Sequence, residues 1–239
     1  MKKLLFIAAV IFMATAVYSF SKEEFEKDNT DKTDVKLVRQ IKWNSNIVDL
    51  EYDSYNRIVR YYEYNAKFRP FIEWNFIYDE DSMVAYNDSG EVYNCKLNKD
   101  GYITEWVDGD DKEIFTYKNG YMVYSDYIFS HSTSNGSFRY QWENGNITYI
   151  FEDPYDNCYF SYSPYKYPHI NLDLLYIQDL CCYPNVLGLL GFYGRHNDYL
   201  PAIVTYNGDS SVNYVYAFNE DGMVSKIIFG ETTIMELYY

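Results

Sequence analysis

Positive charge is the first thing this chain is short of. Lys and Arg number 20 against 35 Asp and Glu, a formal charge of -15, and no window carries the basic run that a phosphate-lined groove needs. Nucleic acid is therefore not an expected partner. The same negative field opposes docking on an anionic membrane surface. It is compatible with divalent cations or cationic ligands, and its ordinary consequence is solubility. Histidine is equally thin: His131, His169 and His196 fall at no spacing that resembles a zinc site. A G-x-S-x-G elbow, an H-E-x-x-H helix and a phosphate-cradling glycine loop are all missing. Nucleophilic, zinc and phosphate chemistry lose their support, no cofactor is implied, and no catalytic residue can be named. Ala and the other strong helix formers are also scarce.

What is abundant is aromatic. The chain has 30 Tyr, 15 Phe and 4 Trp, so that 21% of its 239 residues carry a ring. Such residues suit a pleated, half-buried surface and predict strands. From about Lys36 one phrase recurs: an apolar strand runs into Asn, Asp and Gly, and a second strand leaves with an apolar residue just after the turn. The copies are YDSYNRIV from Tyr52, YNDSGEVY from Tyr86, LNKDGYIT from Leu97, YKNGYMV from Tyr117, WENGNIT from Trp142 and FNEDGMV from Phe218. Asp108-Gly109 and Tyr206-Asn207-Gly208 add turns of the same kind. Tight hairpins place residues at positive φ, where Gly is unstrained and Asn or Asp nearly so. Each phrase is thus a hairpin. Their spacing predicts about 14 to 16 strands in one antiparallel domain, closed or nearly closed into a barrel. Phe138, Tyr140 and Trp142 alternate with polar residues, as do Val212, Tyr214, Tyr216 and Phe218, so one face of each strand should be buried. Tyr61, Tyr62 and Tyr64 put rings on both faces, with hydroxyls free to reach water.

The first residues, MKKLLFIAAVIFMATAVYS, have the basic start, apolar core and small-residue end of a secretory signal. The apolar core is shorter than the ~20 residues of a spanning helix. Residues 1–19 are therefore read as a signal peptide cleaved after Ala16 or Ser19, residues 20–35 as a flexible segment, and 36–239 as the single β-domain. The destination is the periplasm, cell envelope or exterior. In that oxidising setting Cys95, Cys158, Cys181 and Cys182 allow three pairings. A Cys95–Cys158 bridge requires neighbouring strands, Cys181–Cys182 would be a strained vicinal pair, and buried free thiols are an equal alternative.

One stretch breaks the hairpin rhythm. Residues 169–201 lack the phrase and are dense in Leu, with Leu172, Leu174, Leu175 and Leu180 spaced for a short helix over Asn171 to Leu180 and a second helical or irregular piece around Val186 to Tyr193. This insertion is expected to cover an end or face of the sheet, as a buried plug or as a lid over a ligand.

Three segments carry a family resemblance. INLDLL from Ile170, LGFYGRHNDYLPAIV from Leu190 and YVYAFNEDGMVSKI from Tyr214 together resemble the C-terminal signature of an exported family of Bacteroidota-type gut bacteria, a domain of unknown function with a porin-like fold. The hairpin phrase itself is similar in style to the Tyr-Asp repeats of bacterial surface proteins. The resemblance implies a porin-like shape and no catalytic residues. This chain departs from it by having no lipobox cysteine and by placing Arg195, His196 and Asn197 before the Leu-Pro step.

Asp79-Glu80-Asp81 and Asp108 with Asp110-Asp111 are the acidic clusters a two-carboxylate glycosidase would draw on, although Asp also favours turns for its own hydrogen bonds. Trp43, Trp74, Trp106 and Trp142 lie in different strands and are expected chiefly in the core, an exposed stacking row for sugars or peptides being the alternative. The resulting expectation is a non-enzymatic exported binding protein for a glycan, peptide or lipid-like ligand. The other readings are a polysaccharide-acting enzyme and an outer-membrane pore. Strands shorter than the ~9 to 11 residues of a bilayer-crossing barrel, with charges on both faces, disfavour the last.

Overall fold

The computed structural model describes residues 35–65, 68–130, 135–153, 157–177, 185–208, 210–230 and 233–239. The signal-peptide reading, His131, Cys181 and Cys182 lie outside these residues. Sixteen strands follow one another around a closed antiparallel barrel. They are β1 (Gln40–Trp43), β2 (Asn46–Tyr52), β3 (Ile58–Asn65), β4 (Phe68–Tyr78), β5 (Ser82–Asn87), β6 (Val92–Leu97), β7 (Ile103–Asp108) and β8 (Asp111–Lys118). The second half comprises β9 (Tyr121–Ile128), β10 (Gly136–Glu143), β11 (Asn146–Asp153), β12 (Asn157–Lys166), β13 (Tyr199–Tyr206), β14 (Ser210–Phe218), β15 (Val224–Phe229) and β16 (Thr233–Tyr238). Gln40 to Trp43 pair with Tyr238 to Met235, and this first-to-last ladder closes the barrel and removes both sheet edges.

The phrases read from the sequence are the hairpin turns, and they are not scattered. Five of the six named phrases join β2–β3, β6–β7, β8–β9, β10–β11 and β14–β15 and so lie at one end; YNDSGEVY joins β5–β6 at the other. The recurring chemistry of the turn has a visible cause. Asp53, Asn98 and Asn219 each use the side-chain oxygen to accept two backbone N–H groups, two and four residues on, as in Asp53 from Tyr55 and Arg57 at 2.8 and 3.0 Å.

Inside the barrel the walls are apolar. Trp74, Tyr93 and Trp106 pack ring against ring, with centroids 5.5 and 5.1 Å apart, and Tyr127 meets Phe138 at 5.4 Å. The expected core role of Trp74 and Trp106 holds. Phe218 does not continue the inward row of Tyr214 and Tyr216, because the register slips between Ala217 and Phe218 and turns it outward. Cys95 and Cys158 are both free and buried. Their strands, β6 and β12, have five others between them, which rules out the bridge that required neighbours. Burial alone pushes the Cys95 thiol up to about 12.

The outer wall is mixed, with Ile77, Ile114, Ile128, Ile203 and Val215 exposed among polar residues and cross-strand ion pairs. Arg60 on β3 bonds Glu51 on β2 and Glu73 on β4, both at 2.9 Å, and Lys96 on β6 meets Glu105 on β7 at 2.6 Å. Each such surface pair contributes only ~0–1 kcal/mol. They lie toward the end with five of the named turns, where Arg60 and Glu105 are the last residues of β3 and β7 to pair with the following strand.

The connection from β12 to β13 is the interruption seen in the sequence. It forms a 3₁₀ turn at Leu174–Ile177 and a short helix, α1 (Asn185–Leu189). The expected helix over Asn171 to Leu180 is thus reduced to one 3₁₀ turn, residues 178–184 lying outside the description, while the second helical piece is present as α1. Leu172, Leu174, Leu175 and Leu187 are at most 1% exposed, so this segment is a buried plug. At roughly 2 kcal/mol for each fully buried Leu it is a substantial part of the core.

Candidate functional site

The barrel is built to splay at its plugged end. Seven pairs of adjacent strands stop bonding early: the last paired residues of β1, β3, β7, β9, β11, β13 and β15 toward this end are Gln40, Arg60, Glu105, Tyr124, Tyr149, Ile203 and Lys226. Two residues beyond each lies a backbone carbonyl that the partner strand no longer reaches. An aromatic donor closes every one. The hydroxyls of Tyr52, Tyr78, Tyr117, Tyr162, Tyr216 and Tyr239 donate to Val38, Ile58, Ile103, Ile147, Pro201 and Val224, and the Trp142 indole N–H donates to Met122, all at 2.5–2.8 Å. The eighth pair, β5–β6, bonds along its length from Ser82↔Lys96 to Tyr86↔Val92 and has Leu97 where the others have a ring donor. These tyrosines do not send their hydroxyls to water. They satisfy buried backbone that would otherwise cost ~1–3 kcal/mol per group.

The plug supplies the complementary acceptors. Asn171 Oδ1 accepts the Val38 N–H at 2.8 Å, the Phe192 carbonyl accepts Ile103 at 2.9 Å, and Asn197 Oδ1 accepts Ile147 at 2.7 Å. Pro201, at the equivalent place on β13, has no N–H to satisfy. The plug backbone then fastens to two hairpin turns: Arg195 N–H donates to Gly120 O and Asp198 N–H to Gly145 O, each at 2.9 Å.

Beneath this layer sits a buried carboxyl. Asp173 is 5% exposed and accepts the Leu175 N–H at 3.0 Å. Burial pushes its pKa up, opposed by His196 and by that hydrogen bond. His196 lies against Tyr167, centroids 5.0 Å apart, and Tyr162 and Tyr167 face the same carboxyl. A carboxyl whose folded-state pKa is raised favours the fold when protonated, so its contribution falls as pH rises through the carboxylate range. Asp173→Asn keeps the acceptor oxygen and removes the charge. Its melting temperature at pH 7 is expected above wild type, the advantage shrinking as pH is lowered; equal shifts at pH 4 and pH 7 would contradict the charge argument.

Between the two turns gripped by the plug, β9 and β10 part below Tyr124↔Arg139 and leave a cleft of about 330 Å³. Lys118, Asn119, Tyr121, Val123, Tyr140, Trp142 and Gly145 line it. Its floor is aromatic: Tyr121 and Trp142 are 4.5 Å apart at 44°. Arg195 rises on one side with its guanidinium carbon 4.8 Å from the Tyr121 ring centre. Its alkyl chain rests on Gly120, where a Cβ would come within 2.9 Å of it. On the other side the Asp198 carboxylate covers Gly145.

The geometry can now be set beside solved structures. No family model matches the chain, and no curated protein matches it either. A porin-like protein from Bacteroides uniformis is similar in structure, with a TM-score of 0.67, 16% identity, and coverage of 84% of this chain and 97% of that one. A porin-like protein from Bacteroides vulgatus gives 0.63, 16%, 85% and 99%. The fold is porin-like. That likeness is one of fold alone, and the porin-like barrel described here is largely apolar within and carries both ion pairs and exposed apolar residues without.

Of the residues weighed from sequence, the two acidic clusters do not meet. Asp79-Glu80-Asp81 is the β4–β5 turn at the plugged end, whereas Asp108 and Asp110-Asp111 surround the β7–β8 turn at the opposite end. Asp108 itself is raised in pKa, chiefly by burial, then by Glu91 and Asp111. His169 contributes its carbonyl, which accepts the Lys36 N–H at 2.9 Å. The interruption at 169–201 does reach a site, through Arg195 and Asp198. Tyr121 was not singled out, although one signal was available: Tyr102 and Tyr121 alone place a ring directly after the turn glycine of their phrases.

Proposed function

We propose that this protein is an exported envelope or secreted binding protein, without catalytic function, that holds a glycan in the cleft between β9 and β10. The observation that carries this reading is the Tyr121–Trp142 floor, a pair of half-buried rings flanked by Asn119, Arg195 and Asp198. Rings of this kind stack on the C–H face of a sugar while planar polar groups reach its hydroxyls. The volume is at the lower end of ligand sites, ~300 Å³, and suits one or two sugar residues. A glycosidase would need two opposed carboxylates, and no Asp or Glu lines this cleft. The signal-like N-terminus, and the resemblance of residues 170–227 to an exported domain of unknown function, support the envelope as its location.

The pore is the second reading, favoured by the two porin-like neighbours. Weighing against it are the cross-strand ion pairs on the outer wall and the plug Leu side chains within. A membrane barrel has a polar interior and an outward apolar band, whereas this interior is filled by apolar side chains and the outer wall mixes ion pairs with exposed apolar residues.

Purified mature protein, from about Val17, should run as a monomer without detergent and retain selected glycans on an array, and Tyr121→Ala should abolish most of that retention. Trp142 makes intrinsic fluorescence a second readout of occupancy. A folded monomer that retains no glycan would refute the reading, and channel conductance in planar bilayers would replace it with the pore.

A further inference from the structure

We propose that the sugar held in this cleft is acidic, a uronate whose carboxylate is taken by Arg195; this inference rests on the glycan reading above. Arg195 is placed by its backbone, through the N–H bond to Gly120 O at 2.9 Å, and by its alkyl chain lying on Gly120. The guanidinium is thereby laid over Tyr121 and beside Tyr102, whose pKa it holds down against burial. Stacking on Tyr121 and packing on Gly120 restrict this exposed planar cation, which favours a bidentate carboxylate partner. Among the described residues no carboxylate forms an ion pair with Arg195, and no acceptor takes its side-chain N–H groups. Arg57 and Arg60 show the contrast, since Asp53, Glu51 and Glu73 occupy theirs at 2.7–2.9 Å.

The surroundings agree. Lys118, on the turn that receives Arg195, is exposed and also forms no ion pair among the described residues. The Asp198 carboxylate stands across the cleft over Gly145, where it can accept from hydroxyls on the uncharged side of a sugar ring. Asp100 and Asp173 bear on Tyr102 together with Arg195, so the local field is mixed rather than basic. With a chain charge of -15, an anion is disfavoured over most of the surface, and these two cations mark a place where the rule is relaxed. The chemistry specified is a ring with an apolar C–H face, neighbouring hydroxyls and one carboxylate on its edge.

The test compares trigalacturonate with its carboxyl-reduced counterpart, trigalactose of the same linkage, by titration calorimetry on the full mature protein. Trigalacturonate is expected to bind at least about tenfold more tightly, the preference weakening with salt. Arg195→Gln should erase the preference, and Arg195→Lys should retain a part of it, since it keeps the charge and loses the fork. Circular dichroism and the unfolding midpoint establish that each variant is folded, and Lys118→Gln provides a second charge removal that leaves the plug untouched. Equal binding of both sugars, abolished by Tyr121→Ala, would overturn the acidic preference and leave the glycan reading intact. Binding of neither sugar, with neutral glycans retained on the array, also overturns it; no glycan retained at all removes both.

Discussion

Gly194→Ala is expected to cost about 3–5 kcal/mol, against the ~5–15 kcal/mol stability margin of an ordinary domain. Gly194 has a φ of +113°, a conformation that side-chain-bearing residues rarely adopt. Holding a non-glycine residue there costs ~1–3 kcal/mol by itself. The surroundings add to it. A Cβ at this position would stand 2.9 Å from the Gly120 carbonyl oxygen, 3.1 Å from Tyr117 Cε1 and 3.4 Å from the Met122 nitrogen. Two of those three atoms are backbone, and the Gly120 carbonyl is the one that accepts the Arg195 N–H. Relief therefore requires the plug to lift from the β8–β9 turn, and overpacking of this kind costs a further ~1–3 kcal/mol. Gly90 is the control. Its φ of +94° is similar, it lies at the opposite end of the barrel, and nothing approaches its Cβ position within 4 Å. Gly90→Ala should show the backbone strain alone. Urea denaturation of the two variants, compared through their midpoints at unchanged slope, separates the terms. Equal losses would mean that Gly194 is needed only for its backbone angle and that the plug does not press on the turn.

Much of this arrangement was legible before any coordinates, and the parts that were not have a common cause. Asn-Gly and Asp-Gly turns report their own geometry locally, so strand number and antiparallel order follow from the phrases. Closure does not follow from them: the phrases fit a closed or a nearly closed barrel, and the β1–β16 ladder decides it. The ring-to-carbonyl bonds were hidden because they join residues 14 to 20 apart whose strands have ceased to pair, as with Tyr78 and Ile58. The period of two fails there as well. Buried positions on β3, β7 and β11 run Ile58 and Tyr61, Ile103 and Trp106, Ile147 and Ile150, a spacing of three produced as the register slips next to the turns. Tyr61, Tyr62 and Tyr64 do put rings on both faces: Tyr61 is buried, and Tyr62 and Tyr64 pack on each other outside, centroids 5.4 Å apart. The plug announced itself by its Leu content, yet that content could not say that Asn171 and Asn197 act as surrogate strand partners. The cleft was the least legible, because Tyr121 and Arg195 are far apart in sequence and meet only once the plug has docked.

Those two asparagines carry the other large effect, and they should not be equivalent. Asn171 uses both ends of its amide: Oδ1 accepts the Val38 N–H at 2.8 Å, and Nδ2 donates to the Tyr52 hydroxyl at 2.6 Å, which itself donates to the Val38 carbonyl. Asn197 repeats the clamp on Ile147 with Tyr162, but only through Oδ1, which takes the Ile147 N–H at 2.7 Å and lies 2.8 Å from the Tyr162 hydroxyl. Its Nδ2 is buried with no hydrogen-bond partner among the described residues. Asn171→Ala therefore orphans a backbone N–H and withdraws a donor from Tyr52, at about 2–4 kcal/mol. Asn197→Ala orphans the Ile147 N–H but also removes a buried amide nitrogen that was already unpaired, so its net cost should be about 1–2 kcal/mol. Equilibrium unfolding should rank them in that order. Hydrogen exchange should show faster exchange at Val38 in the first variant and at Ile147 in the second, each leaving the other site protected. Equal losses, or protection lost at both sites in either variant, would show that the plug comes away as one piece rather than being pinned by two separate clamps, one before β1 and one on β11.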